Sequence, residues 1–449
     1  MDRGPAPRES VRLDAQLTRA LVLAALLLCA RTASAEVPEP GPEPAPEPAD
    51  TENAVEWRFA WDDAPTYEMW VLTPELQQGA KIGIVRDLGL VGRIGASLYL
   101  DYGFVSGDGI GNFWDVELRR LRIETSGLFT YWVGTSYKVS FGAEEGKFYL
   151  NDFWLAWRPS QWVERVRLGY IDPPFSLQAL TSSEERSFME AAAPVAAFAP
   201  GSRLGLEVRN RFLDPDVSWI SSLSSVGQSQ QFSDASDSPF RFSLRTAWRP
   251  GGISDDPNET LVHVGAAFGY SFSGAGDVHY RARPESSLAT YLVDTGNISG
   301  DAAQLGLEFA QRKGPVTLQA EWIGSWVSST DLGPRFFSGC YAELAWAVTG
   351  EIRPYDPRAA LFLPSTPANP FSWERGSLGG LELAGRISYV DLTDGNVRGG
   401  RMLTLNASSI WSLNRFARLH FDGLYADVRD RPPGRGNDFV VQMRIELRM

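Results

Sequence analysis

Arginine falls on one parity in four stretches of this chain. Arg120 and Arg122 alternate with Leu121 and Ile123, Arg165 and Arg167 with Val166 and Leu168, Arg203 and Arg209 with Leu204, Leu206 and Val208, and Arg241 and Arg245 with Phe242 and Leu244. A two-residue period is that of a β-strand with one polar and one apolar face. The guanidinium is always charged, and its planar fork matches phosphate and carboxylate oxygens in pairs. An arginine facing lipid at mid-bilayer would cost about 2–4 kcal/mol. If these strands cross a membrane, their arginines must therefore face a watery interior. There they would draw anions through a channel, or pair with acids such as Glu124 and Glu207 and stiffen the wall. Lysine occurs only at Lys81, Lys138, Lys147 and Lys313, so any basic lining is arginine.

Other chemistries have little to stand on. His263, His279 and His420 lie far apart without ligand-like spacing, no motif announces a Ser/His partnership, and no phosphate-cradling glycine loop is present. No enzymatic activity, metal or cofactor is expected. The whole chain carries a net charge of -13, so nucleic-acid binding through a basic surface is not expected either.

The elements that would position the arginines read as strands throughout. Leu403, Leu405, Ala407, Ser409, Trp411 and Leu413 face one way and Thr404, Asn406, Ser408, Ile410, Ser412 and Asn414 the other; Phe439 to Met449 alternates in the same manner. Similar patterns occupy 118–125, 241–247, 304–311, 316–326 and 381–390, with turns such as Asp394-Gly395-Asn396 and Pro432-Pro433-Gly434. Aromatic residues make up 12% of the chain, yet mean hydropathy is only -0.19, which suits a sheet with one apolar and one wet face. Strands of roughly 9–11 residues with alternating faces are those of a transmembrane β-barrel. At roughly 25 residues per strand and connection, 56–449 holds about sixteen antiparallel strands. The clusters Trp154, Trp157 and Trp162, Trp322 and Trp326, and Phe336 and Phe337 are expected to form interfacial girdles.

The first 35 residues read as a secretory signal: Arg12 and Arg19, the apolar run Ala20–Ala30, then Ala33-Ser34-Ala35. Eleven apolar residues cannot cross a hydrocarbon core of roughly 30 Å. Removing the signal takes Cys29 and leaves Cys340 alone, without a disulfide framework. Residues 36–55 form an acidic, Pro-rich spacer that cannot build a core.

One connection stands out. Between the alternating segments 166–171 and 203–209 lie about thirty residues, too long for a tight turn and too apolar to sit in water, with Phe175, Leu177, Leu180, Phe188, Met189, Val195 and Phe198 along it. It is expected to fold inward and narrow the barrel. Arg186 and Arg203 are its cations, against Glu184, Glu185 and Glu190.

The stretch LGYIDPPFSLQALTSSEERSFME followed by PVAAFAPGSRLGLEV resembles the phosphate-selective porins O and P, as do ELRRLRIETSGLF, HYRARPESSLA, LVDTGNISGD, GPVTLQAEW, AVTGEIRPY, LELAGRISYVDLTDG and SLNRFARLHFDGLYADV. Together they span about Val116 to Val428 in the family's order. The resemblance implies a sixteen-stranded trimeric barrel in the outer membrane of a Gram-negative cell, with lipid and small anionic solutes as partners. It also implies an inward-folded loop at the constriction and anion or phosphate passage along basic residues. Two positions depart from the pattern: Ala191 follows Phe188-Met189-Glu190 where the family usually has arginine, and the chain ends in Met449 where such barrels commonly end in an aromatic residue. The expected function is passive diffusion of small polar solutes, anions such as phosphate among them. The alternatives are a structural or adhesive barrel without selectivity and, more remotely, a soluble sugar-binding all-β protein.

Overall fold

The computed structural model describes residues 80–85 and 90–449, apart from 109–110, 130–133, 145–146, 161–162, 214–215, 226–239, 254–255, 257–258, 273–276, 330 and 432–433. The signal and spacer expected at 1–35 and 36–55 lie outside the described residues. The described chain forms a closed antiparallel barrel of sixteen strands. Its first half runs β2 (Leu90–Gly107), β3 (Phe113–Phe129), β4 (Thr135–Glu144), β5 (Lys147–Trp157), β6 (Arg165–Ile171), β7 (Arg203–Leu213), β8 (Asp216–Ser225), β9 (Phe240–Trp248) and β10 (Leu261–Phe272). The second half is β14 (Ile298–Lys313), β15 (Val316–Ser329), β16 (Gly333–Ala347), β19 (Gly380–Asp394), β20 (Val397–Ser412), β21 (Ala417–Arg431) and β22 (Gly434–Arg448). Two-residue ladders occupy the longer connections: β11 (Asp277–Val278), β12 (Arg281–Ala282), β13 (Val293–Asp294), β17 (Tyr355–Asp356) and β18 (Leu361–Phe362).

Each strand pairs with its neighbour in sequence, and β22 closes the ring onto β2, Arg448 opposite Ser97 and Asp438 opposite Gly107. A short preceding strand, β1 (Ala80–Val85), covers the part of β2 that β22 does not reach, from Ile94 to Leu90. Closure gives each of the sixteen wall strands a partner on both sides, which is what lets a sheet survive in lipid.

Alternation sorts the faces as the sequence predicts. Along β20, Leu405 is 47% exposed on the outside while Thr404, Asn406 and Ser408 are buried inside. Trp157, Trp326 and Phe336 face outward, as girdle residues must, whereas Trp154 and Phe337 face inward and cannot belong to a girdle. Trp154 shares the inner parity of β5 and pairs with Gly169, where a side chain would collide with the Phe153 carbonyl and the Trp154 backbone; Phe337 joins an apolar cluster inside the barrel. Proximity in sequence does not make a girdle, because neighbouring residues of a strand face opposite ways. Trp162 lies outside the described residues.

Placing a charge on the outer face tests the assignment. Leu405→Arg should lower the unfolding free energy in phospholipid vesicles by about 2–4 kcal/mol. Thr404→Ser, on the inner face, should change it by less than about 1 kcal/mol; urea titration followed by tryptophan fluorescence measures both.

Candidate functional site

The connection from β6 to β7 enters the barrel. Two short helical turns, Leu177–Leu180 and Ala193–Phe198, form where Ser176 caps the first through the Ala179 amide and Pro194 opens the second. Of the apolar residues expected to bury this segment, Phe175, Leu177, Phe188, Met189, Val195 and Phe198 do so; Leu180 is half-buried. Phe175, Val195 and Phe198 join wall residues such as Ile323, Val327, Phe337, Val390 and Met402 in one internal core, and Leu177 packs with Leu261, Ala310 and Phe362 in a second. Two other connections also turn inward. Residues 279–294 bring Tyr280, Leu292 and Val293 into the first core, and the β16–β19 connection enters from the opposite end to meet Arg245, His263 and Arg312.

Side chains of the wall and of the 279–294 connection hold the β6–β7 loop by its backbone. Glu321 accepts the Leu177 and Gln178 amides at 3.1 and 2.8 Å, Asp422 the Met189 amide at 3.0 Å, and Glu285 the Ala193 amide at 2.9 Å. Gln304 donates to the Phe198 carbonyl at 3.1 Å, Arg444 to that of Met189 at 2.7 Å, and Arg386 to that of Glu190 at 3.1 Å. From the opposite end Arg353 reaches the Ser187 hydroxyl at 2.8 Å. Glu285 is fixed by the Arg386 guanidinium at 2.5 Å and by the Ser388 and Thr404 hydroxyls, on a left-handed backbone with φ 55°.

This filling is one-sided. The inward-facing Arg245, Arg249, Arg386, Arg418 and Arg444 are at most 5% exposed, whereas on β3 to β6 Arg119, Lys138, Arg165 and Arg167 are 11–16% exposed. The loop shows the same division: residues 182–186 and 190 are half-buried, while 187–189 are buried. The less tightly filled part of the lumen therefore lies between the loop edge 182–186 and the inner faces of β3 to β6.

A β-bulge shapes that wall. Tyr99 pairs with Arg120 but Leu100 with Leu118, so Arg119 is an extra residue. Both arginines can then turn inward: Arg119 bonds Glu190 at 3.0 Å, and Arg120 donates to Ser183 at 2.6 Å while lying over the Tyr99 ring. The sequence reading missed Arg119, yet it holds the signal. Leu118 and Leu121 both face outward, and residues of opposite parity can do that only across an inserted residue.

The expected arginines divide into two groups. Arg165 and Arg167 share Glu207, Arg209 pairs with Glu164 at 3.6 Å, and Arg245 is locked to Glu308 at 2.8 Å and to the Ala359 and Ala360 carbonyls. For Arg120, Arg122, Arg186, Arg203 and Arg241, no carboxylate among the described residues lies within ion-pair distance. Arg186 donates to the Thr181 carbonyl and Arg203 to that of Ser202. Arg241 donates to Ser243 and Ser271 and lies over Phe175, in the filled half of the barrel. Glu124, expected to pair with arginine, instead lies 3.4 Å from Lys138. Arg386, Arg444, Glu285 and Glu321 escaped the sequence reading because nothing local distinguishes a residue that grips a distant loop.

A model of the phosphate-selective porin O and P family matches residues 93–449. The chain belongs to that family. Among curated relatives, an uncharacterised protein of Caulobacter vibrioides is 28% identical over 399 residues, covering 84% of this chain and 74% of its own. Porin O of Pseudomonas aeruginosa is 26% identical over 258 residues, 52% of this chain and 56% of its own. The barrel is similar to the anion-selective porin from Comamonas acidovorans and to a loop-deletion mutant of OmpT, an outer membrane protein of Vibrio cholerae. Both have a TM-score of 0.51 and 9% identity, and each match covers 80% of this chain and 99% of the other. At that identity the likeness speaks for the fold alone. The chain is thus an outer-membrane porin, and family and fold are those of a channel rather than an enzyme.

In this porin, burial alone would push the Glu285 carboxyl up, but Arg386, Ser388 and the Ala193 amide together hold it below the usual range. Burial likewise opposes ionisation of Glu190, and Arg119 and Arg444 outweigh it. A depressed folded-state pKa contributes stability that is fully present above the unfolded value, about 4.3 for Glu, and is lost as pH falls below it. Glu285→Gln should cost about 3–5 kcal/mol at neutral pH by taking from the buried Arg386 the nearer of its two carboxylates, leaving Glu343 at 3.5 Å. The gap between wild type and variant in thermal unfolding should narrow as pH is lowered through that window.

Proposed function

We propose that this porin is a passive channel for small polar solutes, with a preference for anions. The observation that carries the reading is the pairing of the bulged strand β3 with the loop edge. Arg120, Arg122 and Arg186 face the less filled side without a carboxylate partner among the described residues, so their charge is available to a passing ion. Phosphate is the solute that the family description names, and the guanidinium fork suits it. Ala191 leaves the loop one cation short of the family's usual pattern, so chloride and phosphate are both taken as permeant. The working unit is proposed to be a homotrimer in outer-membrane lipid.

Reversal potentials across planar bilayers in chloride and phosphate gradients test the reading. Arg120→Ala and Arg122→Ala should each lower the anion-to-cation permeability ratio by about two- to tenfold, since one unit charge near 4 Å is worth about 1 kcal/mol in water-like surroundings. A cation-selective wild type would refute the anion preference. The extent of the internal core favours one second reading, a closed structural barrel, which predicts no conducting steps at all.

A further inference from the structure

The β16–β19 connection does more than fill the lumen. After the inward ladder of β17 and β18, it leaves the barrel at the end where β2 begins and β22 finishes, and makes a small hairpin before β19. Ser372 and Ser377 exchange both backbone hydrogen bonds, at 3.0 and 3.1 Å, with Trp373-Glu374-Arg375-Gly376 as the tip. The hairpin is fastened to the outside of the wall. The Phe371 amide donates to the Leu413 carbonyl at 2.7 Å, and the Phe371 ring stands edge-on to Trp411 with centroids 5.7 Å apart. The indole N–H of Trp411 donates to the Leu378 carbonyl at 2.7 Å. Trp411 belongs to the outward parity of β20, so what packs on it lies on the lipid side.

Here Trp373 is 89% exposed and Leu378 is 70% exposed. In water that arrangement leaves a large indole and a leucine unburied on a hairpin held by backbone and ring contacts. The surroundings name the occupant. Trp346 and Leu383, both outward and exposed, continue the apolar belt of the barrel to this rim. Indole rings partition to the membrane interface, where an apolar body meets lipid and the N–H meets water. An arginine two residues along can lay its stem on lipid and give its fork to a phosphate.

We propose that the Phe371–Leu378 hairpin docks in the headgroup zone of the phospholipid leaflet at this end of the barrel, with Trp373 and Leu378 entering lipid and Arg375 meeting a phosphate. The hairpin thereby ties the outer end of the lumen-filling connection to the bilayer.

The test uses the full chain with Cys29 and Cys340 replaced by serine, carrying Trp373→Cys labelled with an environment-sensitive fluorophore, in vesicles of phosphatidylcholine and phosphatidylglycerol. Glu259→Cys in the same background, at an exposed position of the same end, is the aqueous reference. Heat-dependent mobility in detergent gels confirms that each labelled barrel is folded. Quenching by lipids spin-labelled near the headgroup should be about threefold or more stronger at position 373 than at 259, with iodide quenching correspondingly weaker. Iodide quenching equal to that at 259 would overturn the proposal by placing the tip in water. Protection from both quenchers would also overturn it, because a second copy or another part of the chain would then be the cover.

Discussion

A polypeptide loop inside a barrel has to satisfy its own backbone. Strands solve that problem with their neighbours, but an irregular segment buried away from bulk water leaves amides and carbonyls that cost several kcal/mol each if unpaired in a fully apolar setting. In this porin the wall answers with side chains. Glu321, Asp422 and Glu285 take amides from the β6–β7 loop, and Gln304, Arg386 and Arg444 serve its carbonyls. Six wall or loop residues thus act as the missing strand partners. The position of the loop inside the barrel is set by where these groups sit.

That solution explains why a lumen rich in arginine is less electropositive than it looks. Arg386 is matched by Glu285 and Glu343, Arg444 by Asp101 and Glu190, Arg418 by Glu446, and Arg245 by Glu308. These buried pairs are scaffold: removing one partner strands the other. On the less filled side, Arg120 rests against the Ser183 hydroxyl and the Tyr99 ring instead of a carboxylate. Counting basic residues per barrel therefore says little about selectivity, whereas asking which of them lack an acid says more.

Much of the fold was legible because a membrane barrel imposes one rule on every strand. Leu405 and Thr404 must part company across the sheet, and a two-residue period shows it without reference to the rest of the chain. The inward loop was legible for a related reason, since Phe175, Phe188 and Phe198 cannot be left in a solvated loop. Legibility failed where the rule has an exception or where the partner is remote in sequence. Arg119 sits at a bulge that breaks the parity, Trp154 obeys parity against the look of its aromatic neighbours, and Glu285 meets Ala193 from 92 positions away. Which arginines stay uncompensated depends on such distant pairings, so alternation could name Arg245 and Arg120 together but could not tell them apart.

Closing the ring is also a kinetic problem. The seam joins Ser97 to Arg448, the most non-local pairing in the barrel, and contacts of that kind form late because the intervening chain must be ordered first. Until then, the free edge of β2 is a template for mispairing or for a neighbouring chain. The short strand β1 occupies Leu90 to Ile94 from the start, as a local hairpin that needs no long-range closure. When β22 arrives, only the stretch from Ser97 onward is open, and Met449 comes to rest on Ala96. The strand that contributes least to the wall thus acts as a stop for the last one, confining the closing register to a single alignment.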